Sequence, residues 1–413
     1  WRQVVDADEE IVYRAFAPAE EGYVLAGLVS DPGVVELRAV TTDGEVLWRN
    51  RYAPDSDSAA TTLLPSAVVS VDDGFVVAGA RDGRTEEEVV TDAVAFKVDE
   101  TGAEQWRHVF LEDVRSEVVS LSSVGDGEFV AAGPAVEPSG SGGGSTVVEG
   151  ALFRFDASGE VAWSQRYTAG GPESPNPVNR LLDHVETDDG YLAVGVTGDT
   201  TSAAAWVVPT DDSGAPQSPK TFGENTSLRL LGVTADEDTY YAVGTGRGSG
   251  GSVAYLGALD AAGEELWRET TGRKDTNQFS DVLATSDGGI AVAGTTVAAD
   301  SGGDTPGEAW LAKLGGEEAP SVTVSQGSTA TATATTMETA TTAPTESPTE
   351  TATATPAPTE AVTGEPAATT AATAAEGNTQ AATSSADGPG FGIGSAVAGL
   401  VGGALLRRVR DEE

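Results

Sequence analysis

Few residues in this chain could carry chemistry. Its 413 residues include two histidines, His108 and His184, and no cysteine. Thiol nucleophiles, disulfides and zinc–thiolate sites are therefore excluded. His108 stands in the stretch WRHVF, and His184 in LLDHVET beside Asp183. Neighbours along a strand point to opposite faces, so Asp183 and His184 make no acid–base dyad, and both histidines read as structural. The acidic pairs Asp72-Asp73 and Asp188-Asp189 offer oxygen ligands, but no loop of alternating Asp and Asn closing on Gly surrounds them. No cofactor is expected, with Ca²⁺ as the alternative. A G-x-S-x-G elbow and a phosphate-binding loop are both absent from the sequence. The run SGSGGGS at 139–145 has no helix behind it to hold phosphate. No catalytic residue can be assigned.

The charge is lopsided, with 65 acidic and 23 basic residues and a formal charge of −42. Residues 1–318 hold 55 of the acids and 20 of the bases, so the acidity belongs to the part that folds. Such a surface repels nucleic acid, whose phosphates need basic neighbours. In dilute buffer it also repels itself, whereas molar salt cuts the Debye length to about 3 Å. Four lysines stand against 19 arginines. Acid-rich, lysine-poor composition resembles that of proteins from extremely halophilic archaea.

The elements that must position any site are written as a repeat. Six segments are alike: GYVLAG, GFVVAG, GEFVAAG, GYLAVG, TYYAVG and GGIAVAG. Their last glycines are Gly27, Gly79, Gly133, Gly195, Gly244 and Gly294, spaced 49 to 62 residues apart. Each reads as a strand buried on both faces, with glycine where another backbone comes close. A further strand precedes each segment, and another follows it. Turns such as DETGA, DASGE, DDSGA and DAAGE come next, with Asp three residues before Gly, which is hairpin chemistry. The last strand of each unit carries Trp four residues after that Gly, as in Trp48, Trp106, Trp163 and Trp267. The fourth unit breaks the rule, with Pro216 and Pro219 in place of the Trp strand. Proline is tolerated at a sheet edge, so the Trp strand is the outer one.

Four strands per unit and six units predict an all-β fold, a six-bladed β-propeller over 1–318. A β-sandwich array or β-solenoid is the competing architecture. The strand–Gly–hairpin–Trp unit, D-x-x-G-x-x-x-W, resembles the repeats of quinoprotein-like (PQQ-like) propellers and related surface-protein repeats. That resemblance implies that Trp48, Trp106, Trp163 and Trp267 dock one blade on the next. It transfers no catalytic residue. The sixth unit lacks its Trp strand, while the chain opens on WRQVV, which matches WRNRY, WRHVF and WRETT. Residues 1–5 are expected to close the ring on the strand at 308–314, with Trp1 in the docking position.

Residues 319–388 hold 21 Thr, 19 Ala, 6 Pro and 6 Ser and no aromatic. This composition cannot form a core. It reads as a disordered, O-glycosylated stalk, and Asn225-Thr226-Ser227 is an N-glycosylation acceptor. Residues 389–413 follow as PGFGIGSAVAGLVGGALLRRVRDEE. The apolar run from Phe391 to Leu406 has 16 residues, about 24 Å as a helix against a hydrocarbon core of about 30 Å. The order of Pro389-Gly390-Phe391, apolar helix, and Arg407, Arg408 and Arg410 resembles the PGF-CTERM sorting signal of archaeal surface proteins. The resemblance implies removal by an archaeosortase and a lipid on the new C-terminus; a retained membrane helix is the alternative. The chain begins at Trp1, and the lack of an export signal does not argue for the cytoplasm.

These readings converge on an exported propeller, held at the outer face of the cell membrane and adapted to high salt. Its expected role is binding, adhesion or structure near the S-layer or surface glycans. The alternative is a surface enzyme, a quinoprotein-like oxidoreductase or a carbohydrate-active propeller. Carboxylates gathered with an arginine on the channel would favour the enzyme.

Overall fold

The computed structural model describes residues 11–315, less the connections 32, 56–59, 85–88, 112–113, 126, 137–146, 170–177, 199–202, 249–250, 272–275 and 298–307. Trp1, the stalk, Pro389-Gly390-Phe391 and Arg407, Arg408 and Arg410 lie outside the described residues, as do the expected ring-closing strand and C-terminal helix. Among the described residues no helix is long and apolar enough to cross a membrane.

The chain is a β-propeller of six successive blades, each an antiparallel meander read from the channel outward. Blade one is Ile11–Ala19, Gly22–Val29, Val34–Thr41 and Val46–Tyr52. Blade two is Ala60–Val71, Gly74–Arg84, Val89–Val98 and Glu104–Phe110. Blade three has its inner strand in two pieces, Arg115–Ser116 and Ser120–Ser123, then Phe129–Val136, Val148–Phe155 and Val161–Tyr167. Blade four is Val178–Thr187, Gly190–Gly198, Ala203–Asp211 and a three-residue outer strand, Lys220–Phe222. The prolines cut that outer strand short, because proline cannot donate to the ladder. Blade five is Arg229–Asp236, Thr239–Gly248, Gly251–Leu259 and Glu265–Thr271. Blade six shows three strands, Thr276–Ala284, Gly289–Val297 and Glu308–Gly315. A single parallel pair, Val148 with Val178, joins blades three and four.

Apolar layers fill the spaces between consecutive blades. Val24, Leu37, Phe75 and Phe96 pack between blades one and two, and Phe110, Phe129, Phe153 and Phe155 between two and three. Leu181, Tyr191 and Trp206 lie between three and four, Leu230, Tyr240 and Tyr255 between four and five, and Phe279, Ile290 and Val292 between five and six. Blade faces therefore bury both sides of the middle strands, as the unbroken apolar segments required.

The outer end of each interface is fixed by a tryptophan seated on the next blade's hairpin. Asp99, Asp156 and Asp211 cap their own turns by accepting backbone N–H groups two and four residues on. The Thr101, Ser158 and Ser213 hydroxyls, which donate to the same carboxyls, hold all three below the usual range, and the backbone donors add to the effect. The turn glycines sit at positive φ with an indole against them, Trp48 on Gly102, Trp106 on Gly159 and Trp163 on Gly214. Trp106 Nε1 donates to Ala157 O at 2.7 Å and Trp163 Nε1 to Asp212 O at 3.1 Å. Trp267 departs from this pattern. It is 44% exposed and lies against Tyr241 of its own blade. Among the described residues of blade six no Asp-x-x-Gly hairpin receives it, so the same motif has no seat there.

Candidate functional site

The repeat glycines set the geometry of the channel. Each inner strand carries a bulge, between Leu181 and Asp183 in blade four, Leu230 and Gly232 in five, and Phe279 and Asp281 in six. There its backbone swings into the second strand. A Cβ at Gly195 would stand 1.9 Å from Arg180 O, one at Gly133 1.8 Å from Glu117 O, and one at Gly244 1.9 Å from Arg229 O. Only glycine permits this approach. The residue that supplies the carbonyl occupies one layer of the channel wall, and in blades two to six that layer reads Leu64, Glu117, Arg180, Arg229 and Gln278.

A cleft of about 330 Å³ opens at this layer among blades two, three and four. Thr91, Arg115, Ser116, Glu117, Pro134 and Arg180 line it. Burial pushes the Glu117 carboxyl up; Arg180 opposes the shift, Asp82 adds to it and Arg14 opposes it. Glu117 thus senses groups from blades one, two and four. Non-adjacent blades can meet in this way only across the channel. Asp82 is likewise pushed up, by burial first and by Asp92 in part, against a hydrogen bond from Thr91. Its Oδ1 is buried without a hydrogen-bond partner, as is Nε of Arg14. Ser116, by contrast, is spent on structure. Its hydroxyl accepts Ala93 N–H at 3.1 Å and reaches Phe110 O at 3.4 Å.

The histidine cluster is different. His184 is buried, with Nε2 2.6 Å from Ser122 Oγ and Nδ1 3.2 Å from Ser120 Oγ. Ser120 Oγ also donates to Asp183 Oδ1 at 2.6 Å, and Val233 N–H donates to Asp183 Oδ2 at 2.8 Å. Asp183 and His184 alternate along the strand in regular register, yet both reach Ser120 of blade three. Burial pushes His184 down to about 4 and Asp183 up to about 7. Every one of these bonds ties blade three to four or four to five. The cluster is a staple with no free valence toward a ligand. His108 lies on an outer strand with its ring centroid 4.9 Å from that of Phe110.

Asn225 is exposed in a short turn at Glu224–Thr226. Lys97 Nζ takes Asp73 at 2.6 Å, and among the described residues no three acidic or histidine side chains gather as a metal would require. Sequence reasoning missed Arg14, Arg115, Glu117 and Arg180. One sign was present, since Arg180 and Arg229 each precede a repeat glycine by 15 positions.

No family model and no curated protein matches the chain. Among solved structures it is similar to the α-L-arabinanase of Penicillium chrysogenum complexed with arabinobiose, at 11% identity over 70% of this chain and 90% of that one, with a TM-score of 0.41. YjhT is similar at 11% identity, over 74% and 99% of the two chains, with a TM-score of 0.37. The β-propeller domain of the Trilobed protease of Pyrococcus furiosus, which has an open velcro topology, is similar at 11% identity over 75% and 94%, with a TM-score of 0.30. At such distances these likenesses say nothing of activity.

Proposed function

We propose that this chain is a ligand-capturing propeller displayed on the outer face of the cell, with the cleft among blades two, three and four as its binding site. The observation that carries the reading is the set of charged groups there that no hydrogen bond or close ion pair among the described residues takes up. Glu117, Arg115 and Arg180 line an open cleft, whereas the buried polar cluster at His184 is consumed by bonds between blades. A few convergent polar groups in a concavity are what ligand sites present. Display rests on the sequence. The Thr-rich segment 319–388 would serve as the stalk, and the tail from Pro389 to Arg410 supports archaeosortase processing, lipid attachment and a place near the S-layer. The −42 charge supports work in high salt.

A second reading is favoured by one observation, the pair of raised carboxyls, Glu117 and Asp82. A carbohydrate-active propeller needs a carboxylic acid that stays protonated and a carboxylate partner. The two readings separate in one experiment. The full chain, in molar KCl, is screened by thermal shift against glycans and small molecules, and each hit is followed for bond cleavage. Capture predicts a hit that Arg180→Ala weakens and that stays intact. Cleavage that Glu117→Gln abolishes would favour the enzyme, and hits indifferent to both substitutions would reject the site.

A further inference from the structure

The ligand class can be read from which arginines are left alone. Acidic residues outnumber basic ones 65 to 23 in this chain, so a guanidinium readily finds a carboxylate. Among the described residues eight arginines do so: Arg38, Arg49 and Arg51 on Glu36, Arg81 on Asp92, Arg107 on Glu104, Arg154 on Glu128, Arg166 on Glu149 and Arg268 on Glu265. The lysines Lys97, Lys220 and Lys313 are paired too. Among the described residues with placed side chains, Arg14, Arg115, Arg180, Arg229 and Arg247 have no carboxylate at ion-pair distance, although Glu117 acts on Arg14 and Arg180 from farther away. Four of these five stand on inner strands, in blades one, three, four and five. Among the described residues, the inner strands are therefore where most of the guanidinium groups without a close carboxylate are gathered.

Geometry sharpens the point. Arg115 and Arg180 both line the cleft, and Arg14 acts on Glu117 from blade one with its own Nε buried and unbonded. A buried donor without an acceptor is costly, and an anion with planar oxygens would remove that cost by bidentate contact. Glu117 lines the cleft beside the arginines and limits how much negative charge the ligand brings. A singly charged carboxylate brings half the charge of a dianionic phosphate to that carboxyl. The volume of about 330 Å³ sits at the small end of ligand pockets, which run from about 300 to 1,000 Å³. The occupant is then a single acid the size of a monosaccharide. Long-range repulsion from the acidic surface does not forbid it, because molar salt leaves only contacts of about 3 Å.

We propose that the channel cleft binds a small organic acid through its carboxylate, held by Arg115 and Arg180 with Arg14 behind them. This rests on the cleft being the ligand site. The test is calorimetric titration of the full chain in molar KCl with D-galacturonate, with D-galactose as its neutral counterpart and with inorganic phosphate. Galacturonate should bind at least tenfold more tightly than galactose or phosphate. Arg180→Ala and Arg115→Ala should each cost tenfold or more, and Glu117→Gln, which removes a negative charge, should tighten binding. Arg180→Lys keeps the charge without the fork and should still lose affinity, with an unchanged melting temperature showing that the fold is intact. Galactose bound at the cleft as tightly as galacturonate overturns the acid but leaves the site standing, and tighter phosphate overturns the carboxylate. No uptake of galacturonate at millimolar concentration overturns the proposal. Binding that is indifferent to all three arginine variants removes the site itself.

Discussion

Asp183 shows how much one residue's surroundings can add to what the sequence states. Its carboxyl is raised to about 7, by burial first, against hydrogen bonds from Ser120 and Val233 and with Asp281 adding to the rise. Asp281 itself is pushed up to about 6 by burial. A carboxyl raised in the folded state stabilises the fold below its ordinary pKa of about 3.9 and loses that contribution as pH climbs through the raised value. His184, lowered to about 4, acts in the opposite sense, stabilising above about 6.5 and failing as pH falls toward 4. The two oppose each other in mild acid, and above neutrality the carboxyls alone remain. The melting temperature should therefore fall from pH 6.5 to about 8. In Asp183→Asn the amide oxygen still accepts Val233 N–H, and that fall should shrink. Thermal unfolding of both proteins across this range, at constant molar KCl, decides it. An identical slope in the variant would show that Asp183 does not titrate as its burial demands. The sequence made His184 legible as structural, but the serine shared with Asp183 was not, because it comes from the neighbouring blade, 63 positions from Asp183.

At the scale of the element, the hairpin and its tryptophan were readable from spacing alone. Asp99, Asp156 and Asp211 cap the turns the D-x-x-G pattern called for, and the indoles of Trp48, Trp106 and Trp163 rest on the next blade's glycine. Trp267 carries the same pattern and stands 44% exposed, since docking needs two partners and a motif describes one. Trp106→Ala should cost about 3 kcal/mol, the scale of losing a packed large aromatic, together with its bond to Ala157 O. Trp267→Ala should cost under about 0.5 kcal/mol, as exposed positions do. Denaturant midpoints of the two variants test the docking, and equal losses would contradict it. The repeat glycines were equally legible as points of close approach. The side chains they bring to the channel were not, since Arg14, Glu117 and Arg180 come from three blades and converge only once the blades are arranged.

Across the whole molecule, the two ends of the blade series stand apart from the middle. Tyr23 of blade one is 39% exposed, while its counterparts Phe75, Phe129, Tyr191, Tyr240 and Ile290 are buried. Leu311 of blade six is 69% exposed, whereas Leu37, Ala95, Leu152, Val207 and Leu256 at the same register are buried. Blade one also has Glu36 and Arg38 where blade two has Val94 and Phe96. These faces have the form of blade interfaces, and the strand expected from residues 1–5 would join them and cover an open edge. Amide exchange should then find residues 1–5 as protected as the edge 308–314, and Trp1→Ala should release both together. Rapid exchange at 1–5 would argue against closure by this segment. The central claim, that ligand is taken in the channel cleft, is tested most directly by the same method with and without the tightest ligand from the screen. The account predicts added protection confined to the backbone around Thr91, Arg115 to Glu117, Pro134 to Val136 and Val178 to Arg180. Protection on the outer strands or the tryptophan-bearing hairpins, with the cleft unchanged, would contradict it.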